Sequence, residues 1–190
     1  MVDCRAGAAC EWKHVVLVGL PGVGKSSVGR MLAERLDRRF IDLDAEIERT
    51  FHQSVARIFA IHGEPAFREA ECGATLSLVG EVPSVIAPGG GWITNAEAVA
   101  HLRCASRIIY LRVAPEEAVR RMGRGIIRRP LLARGDPIAT MLALYEARKF
   151  HYESCADMTV ETTGVRRSDV IARVLELVVA AERDFEREND

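Results

Sequence analysis

Residues 19–26, with the sequence GLPGVGKS, constrain the fold of this chain more than any other segment. They follow an apolar run at Val15–Val18, which predicts a buried strand, and they overlap the start of Val23–Leu36, whose apolar spacing is helical. A GxxxxGKS loop between a strand and a helix turns its backbone N–H groups inward around an anion. Lys25 then reaches the β- and γ-phosphates, and Ser26 ligates Mg²⁺. The loop predicts a bound nucleoside triphosphate, but the same loop serves kinases, motors and switches.

The rest of the chain alternates short apolar runs with longer helical patterns. Further strands are predicted at 40–43, 85–87, 107–113 and 158–160, and helices at 45–50, 55–62, 65–78, 95–102, 115–122, 137–155 and 168–187. Strands separated by helices form a parallel sheet that is covered on both faces. We therefore predict a single α/β domain with a five-stranded parallel sheet flanked by helices. Ligands of such sheets bind at the carboxyl ends of the strands.

Composition excludes several classes of protein. Of the 190 residues, 48% are hydrophobic and 28% are charged, which is typical of one globular domain. The 26 basic and 27 acidic residues leave no basic field that could hold nucleic acid. No apolar run is long enough to span a membrane. We expect a domain at 15–190 that follows a loose lead-in at 1–14 without the features of a signal peptide.

The cysteines indicate the cellular compartment. The chain has five of them, widely spread, without CxxC or Cys/His metal-binding spacing. We interpret them as reduced thiols of a cytoplasmic protein.

Two acidic residues follow the second predicted strand. Asp42 and Asp44 flank Leu43, and strand alternation points both carboxylates to the same side. One carboxylate could serve the metal and the other a substrate hydroxyl. The same residues could equally form a solvated acidic loop, with Asp44 capping a helix that starts at Ala45. The spacing alone does not choose between these interpretations.

The segment 123–135 has the composition of a mobile lid. It carries glycines at both ends, four arginines, and the apolar patch Pro130–Leu132. An apolar patch needs a surface to close upon, and closure would exclude water from the site. Arg129 would then meet the transferring phosphoryl group, although Arg128 could take that place.

Six segments in order resemble the shikimate kinase family. They are GLPGVGKSSVGRMLAERL, FIDLDAEIE, IFAIHGEPAFREAE, IAPGGG, RRPLL and RKFHYESCAD. The resemblance extends from Val15 to about Val160, and six motifs in order are far more specific than any one. It implies a P-loop kinase fold and phosphorylation of the 3-hydroxyl of shikimate by ATP, in aromatic amino acid biosynthesis. The partners expected are ATP, shikimate and Mg²⁺, with no nucleic acid or membrane, and we expect a monomer.

The resemblance also assigns roles to individual residues. Asp42 joins Ser26 on Mg²⁺, and Asp44 holds the accepting hydroxyl. Arg68 and Arg148 bind the shikimate carboxylate, and Gly90 also contacts the substrate. The implied catalytic residues are Lys25, Asp44 and Arg129, and the implied ATP-binding residues are Gly22, Val23, Gly24, Lys25, Ser26, Ser27 and Arg129. The adenine-side candidates are Arg166 and Arg167.

Other interpretations remain open. Arg68 could form a surface salt bridge with Glu71, three residues further along one helix face, and this bridge is compatible with substrate binding. Arg148 could be one more exposed arginine. The alternative functions are a P-loop kinase for another small polyol or acid, such as gluconate, and a sensor that binds ligand without catalysis.

Overall fold

The computed structural model describes residues 12–128, 132 and 135–189. Five parallel strands form one sheet in the order β2-β3-β1-β4-β5. The strands are β1 (His14–Val18), β2 (Arg39–Asp42), β3 (Ser84–Ala87), β4 (Ser106–Arg112) and β5 (Met158–Glu161). The predicted five-stranded parallel sheet is therefore confirmed.

Helices connect the strands and follow the last one. They are α1 (Lys25–Arg35), α2 (Leu43–Phe51), α3 (Val55–Leu78), α4 (Ala96–Arg103), α5 (Pro115–Met122), α6 (Pro137–Cys155) and α7 (Arg167–Asn189). Short 3₁₀ segments occupy Trp92–Thr94 and Gly123–Arg128. Within the described ranges, no helix is both long and apolar enough to cross a lipid bilayer.

The central strands lie at the centre of the hydrophobic core. All five residues of β1 are buried, and most of β4 is buried as well. Helices cover both faces of a parallel sheet, so its inner strands are continuous apolar runs rather than alternating ones. The packed domain also begins before residue 15. Trp12 is buried, the Arg107 guanidinium lies 5.0 Å from its ring centroid, and the backbone of Lys13 donates to Ala105.

The break predicted between two helices at 55–78 lies inside α3. Gly63 has φ 80° and ψ 173°, a conformation that interrupts the helix between Val55 and Leu78. Pro65 follows at the start of the second part, where the missing N–H of proline is tolerated. Glycine adopts this positive φ without the steric cost that a Cβ atom would bring.

His52 ends α2 in a left-handed conformation, with φ 52° and ψ 30°. Glycine is favoured at this position because a Cβ atom is strained there by about 1–2 kcal/mol. We expect His52→Gly to raise the free energy of unfolding by about 0.5–1 kcal/mol, after the added entropy of the unfolded glycine is subtracted. Urea unfolding measures the difference. His52→Ala removes the imidazole but keeps the strain, so equal stabilisation by both variants would contradict this explanation.

Candidate active site

The glycine-rich loop lies between β1 and α1, at the carboxyl end of the central strand. A Cβ atom at Gly22 would lie 2.4 Å from the Ala118 carbonyl oxygen, so only glycine lets the loop approach α5 so closely. Lys25 Nζ donates to the carbonyl oxygens of Gly19 at 2.9 Å and Leu20 at 3.3 Å. The ammonium group is therefore held over the loop, where an incoming phosphate can take over its hydrogen bonds.

A cleft of about 640 Å³ opens beside this loop. Its walls include all six described residues predicted to bind ATP, namely Gly22, Val23, Gly24, Lys25, Ser26 and Ser27. Asp42, Asp44 and Gly90 line the same cleft, as do the adenine-side candidates Arg166 and Arg167. The structure thus gathers these predicted positions in one place at the carboxyl edge of the sheet.

Asp42 links the glycine-rich loop to the end of β2. The Ser26 hydroxyl donates to Asp42 Oδ2 at 2.8 Å. Asp42 Oδ1 accepts a hydrogen bond from the Ala45 backbone N–H at 3.4 Å, which makes Asp42 the N-cap of α2. The two oxygen-bearing side chains are adjacent and close to the phosphate-binding glycines, an arrangement suited to a hard cation.

Asp42 and Asp44 do not lie on one strand, so the prediction that strand alternation points both carboxylates to the same side was wrong. β2 ends at Asp42 and α2 already begins at Leu43, so Asp44 belongs to the first turn of the helix rather than to a strand. The suggestion that Asp44 caps a helix at Ala45 was wrong for the same reason. Asp44 nevertheless lines the cleft, and a Cβ atom at Gly89 would lie 2.4 Å from its Oδ1 atom. The carboxylate therefore packs directly against the glycine triplet 89–91.

Arg148 reaches the triplet from α6. Its Nη1 donates to the Gly90 carbonyl oxygen at 3.0 Å, and the Tyr152 hydroxyl donates to the same oxygen at 3.0 Å. Burial raises the pKa of Tyr152 to about 12, so the hydroxyl keeps its proton and remains a donor near neutral pH. This hydrogen bonding rules out the interpretation of Arg148 as a merely exposed helix arginine.

Arg68 approaches the other end of the triplet from α3. A Cβ atom at Gly91 would lie 2.7 Å from its Nη2 atom. Arg68 pairs with Glu71 at 2.9 Å and with the exposed Glu64 at 3.0 Å. The predicted ion pair with Glu71 is confirmed, and the structure places it beside the triplet rather than on open surface.

Glu71 is a buried support for Arg68. Its side chain is only 1% exposed, and the Asn95 amide donates to Glu71 Oε2 at 3.2 Å and to the Arg68 carbonyl at 3.1 Å. Burial raises the pKa of the Glu71 carboxyl, and the Arg68 guanidinium opposes that shift. The guanidinium is thereby held in one orientation, which favours a planar ligand such as a carboxylate.

The sequence did not point to the arginines of α5. Glu117 accepts hydrogen bonds from Arg120 at 2.7 Å and from Arg121 at 3.0 Å, and all three residues line the cleft. The hydrogen bond from Arg120, followed by that from Arg121, lowers the pKa of Glu117 to about 2. Arg121 also donates to Thr162 Oγ1 at 3.1 Å. From sequence, the spacing of these residues is that of an ordinary solvated helix face, so it gave no usable signal.

The predicted lid is described only in part. Gly123–Arg128 forms a 3₁₀ helix, and Leu132 is 1% exposed. Leu132 therefore packs into the core instead of lying on the surface. Arg129 lies outside the described residues, as do Pro130 and Leu131.

Comparison with known proteins decides the family. The family model described as shikimate kinase matches residues 21–179. This chain belongs to the shikimate kinase family. Its relatives include a shikimate kinase from Symbiobacterium thermophilum, which is 40% identical over 164 residues, covering 86% of this chain and 94% of the relative. The resemblance in the six sequence segments is thereby confirmed.

Solved structures agree with this family. The structure of shikimate kinase from Acinetobacter baumannii in complex with shikimate superposes with a TM-score of 0.84 at 34% identity, covering 90% of this chain and 94% of that one. A gluconokinase from Sinorhizobium meliloti 1021 gives a TM-score of 0.60 at 14% identity, covering 95% of this chain and 99% of that one. The second likeness shows a shared fold alone.

Proposed function

We propose that this protein transfers the γ-phosphoryl group of ATP to the 3-hydroxyl of shikimate, a step of aromatic amino acid biosynthesis. The observation that carries the proposal is the set of side chains that surround the glycine triplet 89–91. One end of it packs against the Asp44 carboxylate, and its other residues contact Arg148 and Arg68. In this proposal Asp44 accepts a hydrogen bond from the substrate hydroxyl, and the two guanidinium groups bind the substrate carboxylate. Gly90 lies against Pro21 of the phosphate-binding loop, which supports a position for the substrate next to ATP. Family membership supports the same substrate, since the A. baumannii relative is described with shikimate.

ATP would bind with its phosphates on the glycine-rich loop. The loop N–H groups and the N-terminus of α1 favour the negative charge, and Lys25 exchanges its carbonyl partners for phosphate oxygens. Ser26 and Asp42 would hold Mg²⁺, because both offer hard oxygen ligands and already lie within hydrogen-bonding distance. When bound, the ion neutralises part of the phosphate charge. The adenine base would lie toward Arg166 and Arg167, which also line the cleft.

Asp44 would orient the accepting hydroxyl. A bond forms between the 3-oxygen of shikimate and the γ-phosphorus, the bond from that phosphorus to the β–γ bridging oxygen breaks, and the hydroxyl proton passes to the carboxylate. Phosphoryl transfer has a loose transition state, so positioning contributes more than base strength. The Asp44 carboxylate packs against Gly89, which limits the positions that it can take.

Arg129 would meet the phosphates when segment 123–135 closes and excludes water, a competing acceptor. We further propose that the protein acts as a cytoplasmic monomer.

The direct test is turnover by the purified protein. ADP release with ATP and Mg²⁺ should depend on shikimate, and mass spectrometry should show shikimate carrying one added phosphoryl group. Gluconate should support no comparable rate. Turnover of gluconate without turnover of shikimate would assign the site to another polyol, and binding of shikimate without turnover of either would support the sensor alternative.

The carboxylate-binding arginines give a separate prediction. We expect Arg68→Ala and Arg148→Ala each to raise the KM for shikimate roughly 10- to 100-fold, because a hydrogen bond to a charged group contributes about 1.5–3 kcal/mol. The KM for ATP should stay near that of the unaltered enzyme. Arg68→Lys should not restore binding, since an ammonium group cannot form a two-pronged contact.

The matched control is Arg173→Ala, because Arg173 is an exposed arginine of α7 paired with Glu176. Steady-state kinetics with each substrate varied in turn measures all four variants. If Arg68→Ala or Arg148→Ala raised the KM for ATP and left the KM for shikimate unchanged, the altered arginine would belong to the ATP-binding position instead of the shikimate-binding position.

A further inference from the structure

We propose that Cys72, Glu97 and His101 form a second metal site, for a divalent transition-metal ion such as Zn²⁺. The thiol sulfur, a carboxylate oxygen and an imidazole nitrogen of these residues all lie within 4.8 Å of one another. None of the three lines the nucleotide cleft. The site is therefore distinct from the pair Ser26 and Asp42, and its occupancy does not depend on the reaction proposed above.

Two packed helices bring the ligands together. Cys72 lies on α3, whereas Glu97 and His101 lie one turn apart on α4 and face the same side of that helix. His101 Nε2 and a Glu97 carboxylate oxygen are 3.8 Å apart. Residues one helical turn apart are a common source of two ligands for one metal ion.

The distances suit a tetrahedral ion after a small adjustment. Bonds of about 2.0–2.3 Å from zinc to nitrogen, oxygen and sulfur place neighbouring ligands roughly 3.3–3.8 Å apart. Separations of up to 4.8 Å therefore need to shrink by at most about 1.5 Å. Glu97 can supply that movement, because its side chain is 75% exposed. Cys72 and His101 are partly buried and provide the more rigid half of the site.

The donor set selects the kind of metal. A thiolate and an imidazole favour Zn²⁺, Co²⁺ and similar ions, whereas Mg²⁺ prefers oxygen ligands and keeps much of its water. Three protein ligands leave a fourth tetrahedral position open to water. The Mg²⁺ that accompanies ATP should therefore not compete for this site.

A bound ion would link α3 to α4 close to Glu71 and Asn95, the residues that hold Arg68 in place. Cys72 lies one turn after Arg68, and Asn95, the N-cap of α4, donates to the Arg68 carbonyl and to Glu71. A cavity of about 440 Å³ is lined by residues of both helices, including Arg68, Cys72, Asn95 and Glu97. Cross-linking the two helices should stabilise the folded state, since the unfolded chain does not preform the site.

The test is titration of the reduced, metal-free full-length protein with Co²⁺ in excess Mg²⁺. We expect a thiolate-to-cobalt charge-transfer band and the visible bands of a tetrahedral ion, with a micromolar dissociation constant. Zn²⁺ should remove these bands and raise the melting temperature. Cys72→Ser and His101→Ala should abolish the charge-transfer band or weaken binding by at least tenfold, and Glu97→Gln should weaken binding.

The controls separate this site from the other thiols. Cys104→Ser, Cys155→Ser and the double variant Cys4→Ser with Cys10→Ser should bind Co²⁺ like the unaltered protein. If the band persisted in Cys72→Ser, vanished in any control, or never formed in the unaltered protein, the proposal would be overturned. Glu97→Gln keeps the test decisive if a change at Cys72 disturbs folding, because Glu97 is exposed.

Discussion

Lys25→Ala is expected to lower kcat for shikimate phosphorylation by roughly 10³-fold, because the charge that accumulates on the transferring phosphoryl group loses a preorganised cation. Lys25 is one of only three lysines in a chain with 26 basic residues, and it lies over the phosphate-binding glycines. The melting temperature should change little, since alanine keeps the first position of α1 helical and the hydrogen bonds lost, to Gly19 and Leu20, lie within the loop itself.

The measurement is steady-state turnover of Lys25→Ala beside Lys13→Ala, a lysine that does not line the cleft. Lys13→Ala should retain the full rate. Near-normal turnover by Lys25→Ala would remove the basis for placing the phosphates on this loop.

The second prediction with a large effect is that substitution of Asp42 and of Asp44 changes different kinetic quantities. Asp44→Asn should lower kcat by about 10²–10⁴-fold, the usual contribution of a general base, with little change in the Mg²⁺ requirement. Asp42→Asn should instead raise the Mg²⁺ concentration needed for half-maximal rate, because Asp42 is the partner of the Ser26 hydroxyl. Asparagine still caps a helix well, so α2 should survive the Asp42 change.

Turnover at varied Mg²⁺ distinguishes the two variants. Asp184→Asn is the control, because Asp184 is an exposed residue of α7 that is paired with Arg187 and does not line the cleft. Equal Mg²⁺ shifts for Asp42→Asn and Asp44→Asn would show that the proposed division of roles is wrong. A normal kcat for Asp44→Asn would place the hydroxyl acceptor elsewhere.

The sequence determined the features that depend on neighbouring residues. The loop at 19–26 is recognisable because its glycines, lysine and serine act through one continuous stretch of backbone. The strands and helices were predicted close to their observed bounds, since burial on both sheet faces produces continuous apolar runs and helix packing produces a period of about 3.6. The family resemblance then supplied Arg68 and Arg148, whose spacing alone favours no site.

Only the tertiary structure decided which distant groups meet. The sheet order β2-β3-β1-β4-β5 brings Asp42 beside Ser26 and the glycine triplet beside the loop, and sequence patterns do not encode strand neighbours. Trp92, next to the triplet, turns inward and donates from Nε1 to Thr75 Oγ1 at 3.1 Å. The burial of Glu71 that orients Arg68 depends on packing of α3 against Asn95. The grouping of Cys72 with Glu97 and His101 depends on the same two helices, because side chains far apart in sequence become neighbours only when α3 and α4 pack together.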